Sequence, residues 1–84
     1  IVLCDFGGTM IDDTGAGYCS DITRCVHVGE PPAELSELYA VLLRAQTASV
    51  AAATVGTTCE AVDAAARDVI EAAGYGEQFV HRNA

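Results

Sequence analysis

The 84-residue sequence predicts an α+β fold: a β-hairpin followed by two helices and a short strand. Three observations carry that prediction. Two apolar runs rich in β-forming residues, Ile1 to Phe6 and Tyr18 to Val28, flank a segment of Gly, Asp and Thr, the pattern of two strands joined by a turn. From Pro32 onward, apolar residues recur at helical spacing in two blocks separated at Gly56. After Gly74, the segment Glu77 to Arg82, with Phe79 and Val80, reads as extended.

Each element has its own justification. Ile1 to Phe6 is short and apolar with β-branched residues, the composition of a buried strand. Gly7-Gly8-Thr9 is expected to break it, with Met10-Ile11 extending the arm. Asp12 to Gly17 is turn chemistry, because Asp caps backbone amides and Gly accepts positive φ. Gly29-Glu30-Pro31-Pro32 ends the second arm, since proline donates nothing to a ladder. Pro32 or Ala33 opens the first helix, with Glu34 and Glu37 near its positive end. Leu35, Leu38, Tyr39, Leu42 and Ala45 form its expected core stripe, and the helix runs to about Thr54. Thr57 and Glu60 have capping-box spacing and mark the second helix start. Val62, Ala65, Ala66, Val69, Ile70 and Ala73 give that helix its apolar stripe, and Gly74 suits the residue after its end.

Composition narrows the function classes. Twelve Asp and Glu stand against four Arg and no Lys, for a net charge of −8. Such a balance argues against nucleic-acid binding, which needs cations to neutralise phosphates, and against docking on anionic membranes. No run approaches the roughly 18 apolar residues of a membrane span, and no stretch resembles a signal peptide. An acidic cytoplasmic protein is the expectation. Cys4, Cys19, Cys25 and Cys59 lack metal-type spacing and are expected to be free, buried thiols in a reducing compartment. Both ends of the sequence fall at apolar runs, so a piece of a longer protein is expected. Its apolar faces would then favour self-association, that is, a homo-oligomer.

Two residues stand out chemically. Asp5 and Asp21 each place a carboxylate inside a β-run, where burial is costly without a compensating cation or donors. If the two runs fold back on each other with both carboxylates on one face, the pair suits a hard or borderline divalent metal. A cation between them also removes their mutual repulsion. The bland alternative makes Asp21 an exposed edge residue and Asp5 a turn cap before Gly7-Gly8. Register decides, since a one-residue slip would turn Asp21 to the other face. Arg24 is expected to support the site by pairing with a nearby carboxylate or carbonyl, and Asp12, Asp13 and Glu60 read as solvated or capping residues.

Two resemblances bear on activity. IVLCDFGGTMIDD resembles the first motif of the haloacid-dehalogenase phosphatases, which implies a phosphatase with Asp5 as nucleophile. Gly7 stands where that motif has its second Asp, however, and glycine cannot pass a proton to a leaving group. The other resemblance covers nearly the whole chain. DFGGT, GYCSDITR, VGEPP, ELYAVLLRAQ, EAVDAAARDVIEAAGYG and FVHR follow in order as in the pita-bread metallopeptidases. They are most similar to the Xaa-Pro branch, prolidase and aminopeptidase P.

This second resemblance implies a partial pita-bread (creatinase/aminopeptidase) domain, with residues 1–84 as the N-terminal part of a catalytic domain. It further implies a dinuclear metallopeptidase that hydrolyses bonds next to proline, with two divalent ions (Mn, Co or Zn) and Xaa-Pro peptides as substrates. On the matching positions, Asp5 is the first metal-binding carboxylate and Asp21 the bridging one. His81, in FVHR, is the histidine near the substrate and the attacking water. The family's ligand histidine and two ligand glutamates would fall beyond Ala84, so the 84 residues alone are expected to be inactive. A third possibility is a non-catalytic remnant that kept the fold and lost the ligands.

Overall fold

Strands β1 (Val2–Ile11) and β2 (Gly17–Val26) pair as an antiparallel two-stranded sheet. A computed structural model describes residues 1–80 of the chain. The chain divides into a hairpin unit, Ile1–Pro31, and a helical unit that begins at Pro32.

β1 does not break at Gly7-Gly8: Gly7 pairs with Asp21 and Gly8 with Ser20, so the ladder continues to Ile11. Cross-strand pairing overrides the weak strand preference of glycine here. The turn is latched by Asp12. Its Oδ1 accepts from the Thr14 amide at 2.8 Å, the Ala16 amide at 3.0 Å and the Thr14 hydroxyl at 2.6 Å. Those bonds, the Thr14 hydroxyl foremost, hold the Asp12 carboxyl below the usual aspartate range. Gly15, at φ 87°, supplies the left-handed residue that lets the loop close.

Helix α1 (Ala33–Ala52) starts on Pro32, whose carbonyl receives the amides of Leu35 and Ser36. Helix α2 (Cys59–Ala72) is capped by Thr58, whose hydroxyl accepts from the Ala61 amide at 3.2 Å. The cap is therefore one residue later than the Thr57 expected from spacing. Thr57 instead shares a hydroxyl hydrogen bond of 2.9 Å with Thr54 in the connection. At the other end, Tyr75 N–H donates to Ile70 O and Gly74 N–H to Glu71 O, with Gly74 at φ 88°. This is the paired Schellman closure, and the sequence placed its glycine correctly.

Ala45, Ala66 and Ile70 are the buried centre between the helices, with Val41, Val69 and Phe79 packed around them. Ser49 adds a tie, donating its hydroxyl to the Val62 carbonyl at 3.2 Å. The expected α1 stripe is only partly confirmed. Ala45 is buried, but Leu38, Tyr39 and Leu42 are exposed. α1 is apolar on more than one side, and its small residues, which allow closer approach, take the contact with α2. After α2, Gly76–Gln78 forms a single 3-10 turn (η1) where extended chain was expected. Phe79 and Val80 follow without strand pairing, and the rest of the expected short strand lies outside the described residues.

Candidate functional site

The register settles which face each carboxylate occupies. Asp5 pairs with Thr23 and Asp21 with Gly7, so Asp5, Gly7, Asp21 and Thr23 share one face of the hairpin. Asp21 is thus the diagonal neighbour of Asp5, a relation that sets their Cβ atoms roughly 7 Å apart. Asp5 lies mid-strand, five residues into the hairpin, and is not a turn cap.

Gly7 gives the face its opening. It sits directly opposite Asp21 and carries no side chain, so the space beside that carboxylate stays clear. A Cβ there would stand 3.1 Å from the Ser20 carbonyl oxygen, a tight approach in addition to the lost space. Asp5 is oriented from across the strand: Thr23 Oγ1 donates to Asp5 Oδ1 at 3.0 Å. Sequence reasoning passed over Thr23. The signal was its position two residues after Asp21, which in a strand returns to the same face.

Other expected participants fall elsewhere. Arg24 does contact a carbonyl, donating from Nη1 to Thr23 O at 2.8 Å, yet the register puts it on the face opposite the carboxylates. It therefore cannot pair with them. The four cysteines are free thiols, but Cys19 and Cys59 are exposed and not buried. Cys19 shares the carboxylate face, its Sγ 3.4 Å from Thr9 Oγ1. His81 lies outside the described residues.

Two exposed carboxylates on one face, one braced by a hydroxyl and the other beside an open glycine, fit oxygen-ligated divalent ions. By themselves two carboxylates would be only part of a coordination sphere. Among the described residues, no group of three or more His, Cys, Asp or Glu is placed to hold a metal. No described helix is long and apolar enough to cross a membrane.

The model of metallopeptidase family M24 matches residues 1–84. The chain belongs to metallopeptidase family M24. The M24 match extends to individual relatives. The probable dipeptidase PepE of Mycobacterium tuberculosis is 50% identical over 82 residues, which are 98% of this chain and 21% of that protein. The Xaa-Pro dipeptidase of Lactobacillus helveticus is 48% identical over 82 residues, again 98% of this chain and 21% of the relative. The uncharacterized peptidase YqhT of Bacillus subtilis is 46% identical, covering 94% of this chain and 23% of its own length. The chain thus spans about a fifth of the length of the curated relatives it matches. No solved structure matches it significantly. M24 membership removes the phosphatase reading of Asp5, and the hairpin-helix-helix order is that of a partial pita-bread domain.

Proposed function

We propose that this chain is the first part of the catalytic domain of a dinuclear metal-dependent peptidase acting on Xaa-Pro peptides. The observation that carries the reading is the common face of Asp5 and Asp21. An M24 chain with those carboxylates on opposite faces could not direct both at one metal pair. Asp5 and Asp21 would hold two divalent ions, Mn, Co or Zn, with Asp21 in the bridging position. When bound, such ions polarise the scissile carbonyl and lower the pKa of water.

The chain's own residues have separate tasks. Thr23 fixes one oxygen of Asp5, so its carboxylate presents a defined edge to the cation. Gly7 keeps the neighbouring space clear for an ion or water. His81 would sit close to the bound substrate and donate toward the oxygen that gains charge as the carbonyl is attacked. Proline specificity is supported by the Xaa-Pro name of one close relative and by the similarity of GYCSDITR and FVHR to that branch.

Two carboxylates are too few to hold a catalytic metal pair in water, so the 84 residues alone should be inactive. The test compares this chain with the protein at its encoded length, both given Mn and a Xaa-Pro dipeptide. Turnover is expected only from the longer protein, and Asp5→Ala or Asp21→Ala should abolish it together with metal uptake. Metal-dependent turnover by the 84-residue chain, or full activity in the Asp21→Ala protein, would overturn the reading. A longer protein that folds, takes up no metal and lacks turnover would point to the non-catalytic remnant.

A further inference from the structure

The chain doubles back after α2, and the return is held at successive points. At the bend, Gly74 stands at φ 88° and Tyr75 N–H donates to Ile70 O. Further along, Gly76 passes so near the helix that a Cβ there would stand 2.7 Å from Glu71 Cγ. At the end of the return, Phe79 packs beside Ala45, Ala66 and Ile70. Arg67 on α2 reaches that same end. Its Nη1 donates to Phe79 O at 3.0 Å, and its guanidinium carbon lies 4.8 Å from the centroid of the Phe79 ring.

Asp63 sets the direction of that reach. Nε donates to Asp63 Oδ2 at 2.9 Å and Nη2 to Asp63 Oδ1 at 3.2 Å, so one edge of the guanidinium is taken within the helix. The arginine fork is planar, and fixing one edge aims the remaining nitrogen. An i,i+4 ion pair acting for its own helix turn needs nothing from Phe79. Both side chains are partly shielded, at 28% and 20% exposure, where salt screens them less than at an open surface. The returning segment has little to hold it from within. Gln78 N–H donates to Tyr75 O and Phe79 N–H to Gly76 O, both at 3.2 Å, in a single 3-10 turn. Such a turn has poor hydrogen-bond geometry of its own. Its attachment to α2 therefore decides whether it stays closed.

We propose that residues 76–79 form a strap that opens and closes as one unit against the Ala45–Ala66–Ile70 centre, with the Asp63–Arg67 fork as its catch. The strap is a local opening unit of the helical fold and does not depend on the peptidase reading. Opening withdraws the Phe79 ring from the centre and frees the Gln78 and Phe79 amides together. Helix α2 and its Schellman end stay formed.

Amide hydrogen exchange tests this in the protein at its encoded length, with the wild type beside Arg67→Lys and Asp63→Asn. Lysine keeps the charge without the fork, and asparagine keeps an acceptor without the ion pair. In each variant the Gln78 and Phe79 amides should exchange about tenfold faster, by a common factor, as expected for one lost hydrogen bond to a charged group. The Ala66 and Tyr75 amides should change by less than about twofold. Chymotryptic cleavage after Phe79 should accelerate in parallel, since it follows the open population.

Unchanged exchange at Gln78 and Phe79 in either variant overturns the catch. An equal rise at Ala66 overturns the strap as a separate unit, because the whole helix is then loosened. Different factors at Gln78 and Phe79 overturn it too, as the mark of fraying residue by residue. Should one variant fail to fold, the other decides alone.

Discussion

The hairpin and the helical unit solve the problem of a small chain in opposite ways. The helical unit closes a centre of its own on Ala45, Ala66 and Ile70 and trims both ends of α2 with caps. The hairpin has a ten-residue ladder and a latched turn but no buried residue, and its second face leaves Phe6, Met10 and Tyr18 more than 60% exposed. Yet the hairpin carries both candidate metal ligands. An isolated two-stranded hairpin is marginal in water. The lesson is that the candidate site is specified by register, while local stability is concentrated in the helices.

Four measurements would break or sharpen that contrast. The largest effect belongs to the helical centre. Ile70→Ala should cost about 2–5 kcal/mol, whereas Phe6→Ala, already mostly exposed, should stay within about 0.5 kcal/mol. Denaturant unfolding of each variant compares them, and equal costs would mean that the hairpin face is covered in solution.

Next comes the brace on Asp5. Thr23→Val keeps shape and removes the donor, and should weaken metal affinity of the protein at its encoded length by roughly 10–100-fold. Calorimetric titration with Mn would read it, and an unchanged affinity would make the Thr23 bond incidental.

Smaller again is the α2 cap. Thr58→Ala should cost about 1 kcal/mol, and Thr57→Ala distinctly less, because only Thr58 receives the Ala61 amide. Reversal of that order in thermal melts would restore the earlier capping frame.

The smallest concerns the turn. The Asp12 carboxyl is held below its ordinary value by the Thr14 hydroxyl and then by backbone amides. Its stabilisation is therefore complete above the unfolded value, near 3.9, and is lost as pH falls through the lower folded value. Exchange of the Thr14 and Ala16 amides should rise in that acid window in the wild type. In Asp12→Asn, which keeps an acceptor without the titration, the acid-dependent rise should vanish.

Much of this was legible in the sequence. Two runs of β-forming residues around the Asp12–Gly17 turn gave the hairpin, and the stripe from Val62 to Ile70 with Gly74 gave α2 and its end. The common face of Asp5 and Asp21 was a register hypothesis, and ten continuous pairs bear it out. What escaped was set by partners and not by propensity. Gly7-Gly8 looked like a break because a lone strand cannot show that Asp21 and Ser20 will pair with it. The α1 stripe was right at Ala45 and too wide at Leu38, Tyr39 and Leu42, which outweigh Ala45 in hydropathy but not in closeness of fit to α2. Thr57 and Thr58 are adjacent, and only the helix phase distinguishes the cap from its neighbour.

The ladder has one further consequence. Each strand is hydrogen-bonded along a single edge, so amides and carbonyls line the outside of a ten-residue ribbon among the described residues. Such a rim is a template on which another extended segment can zip. Preparations of these residues by themselves therefore invite fibre-like stacking, and a solubilising fusion or a proline on the rim would be the first remedy to try.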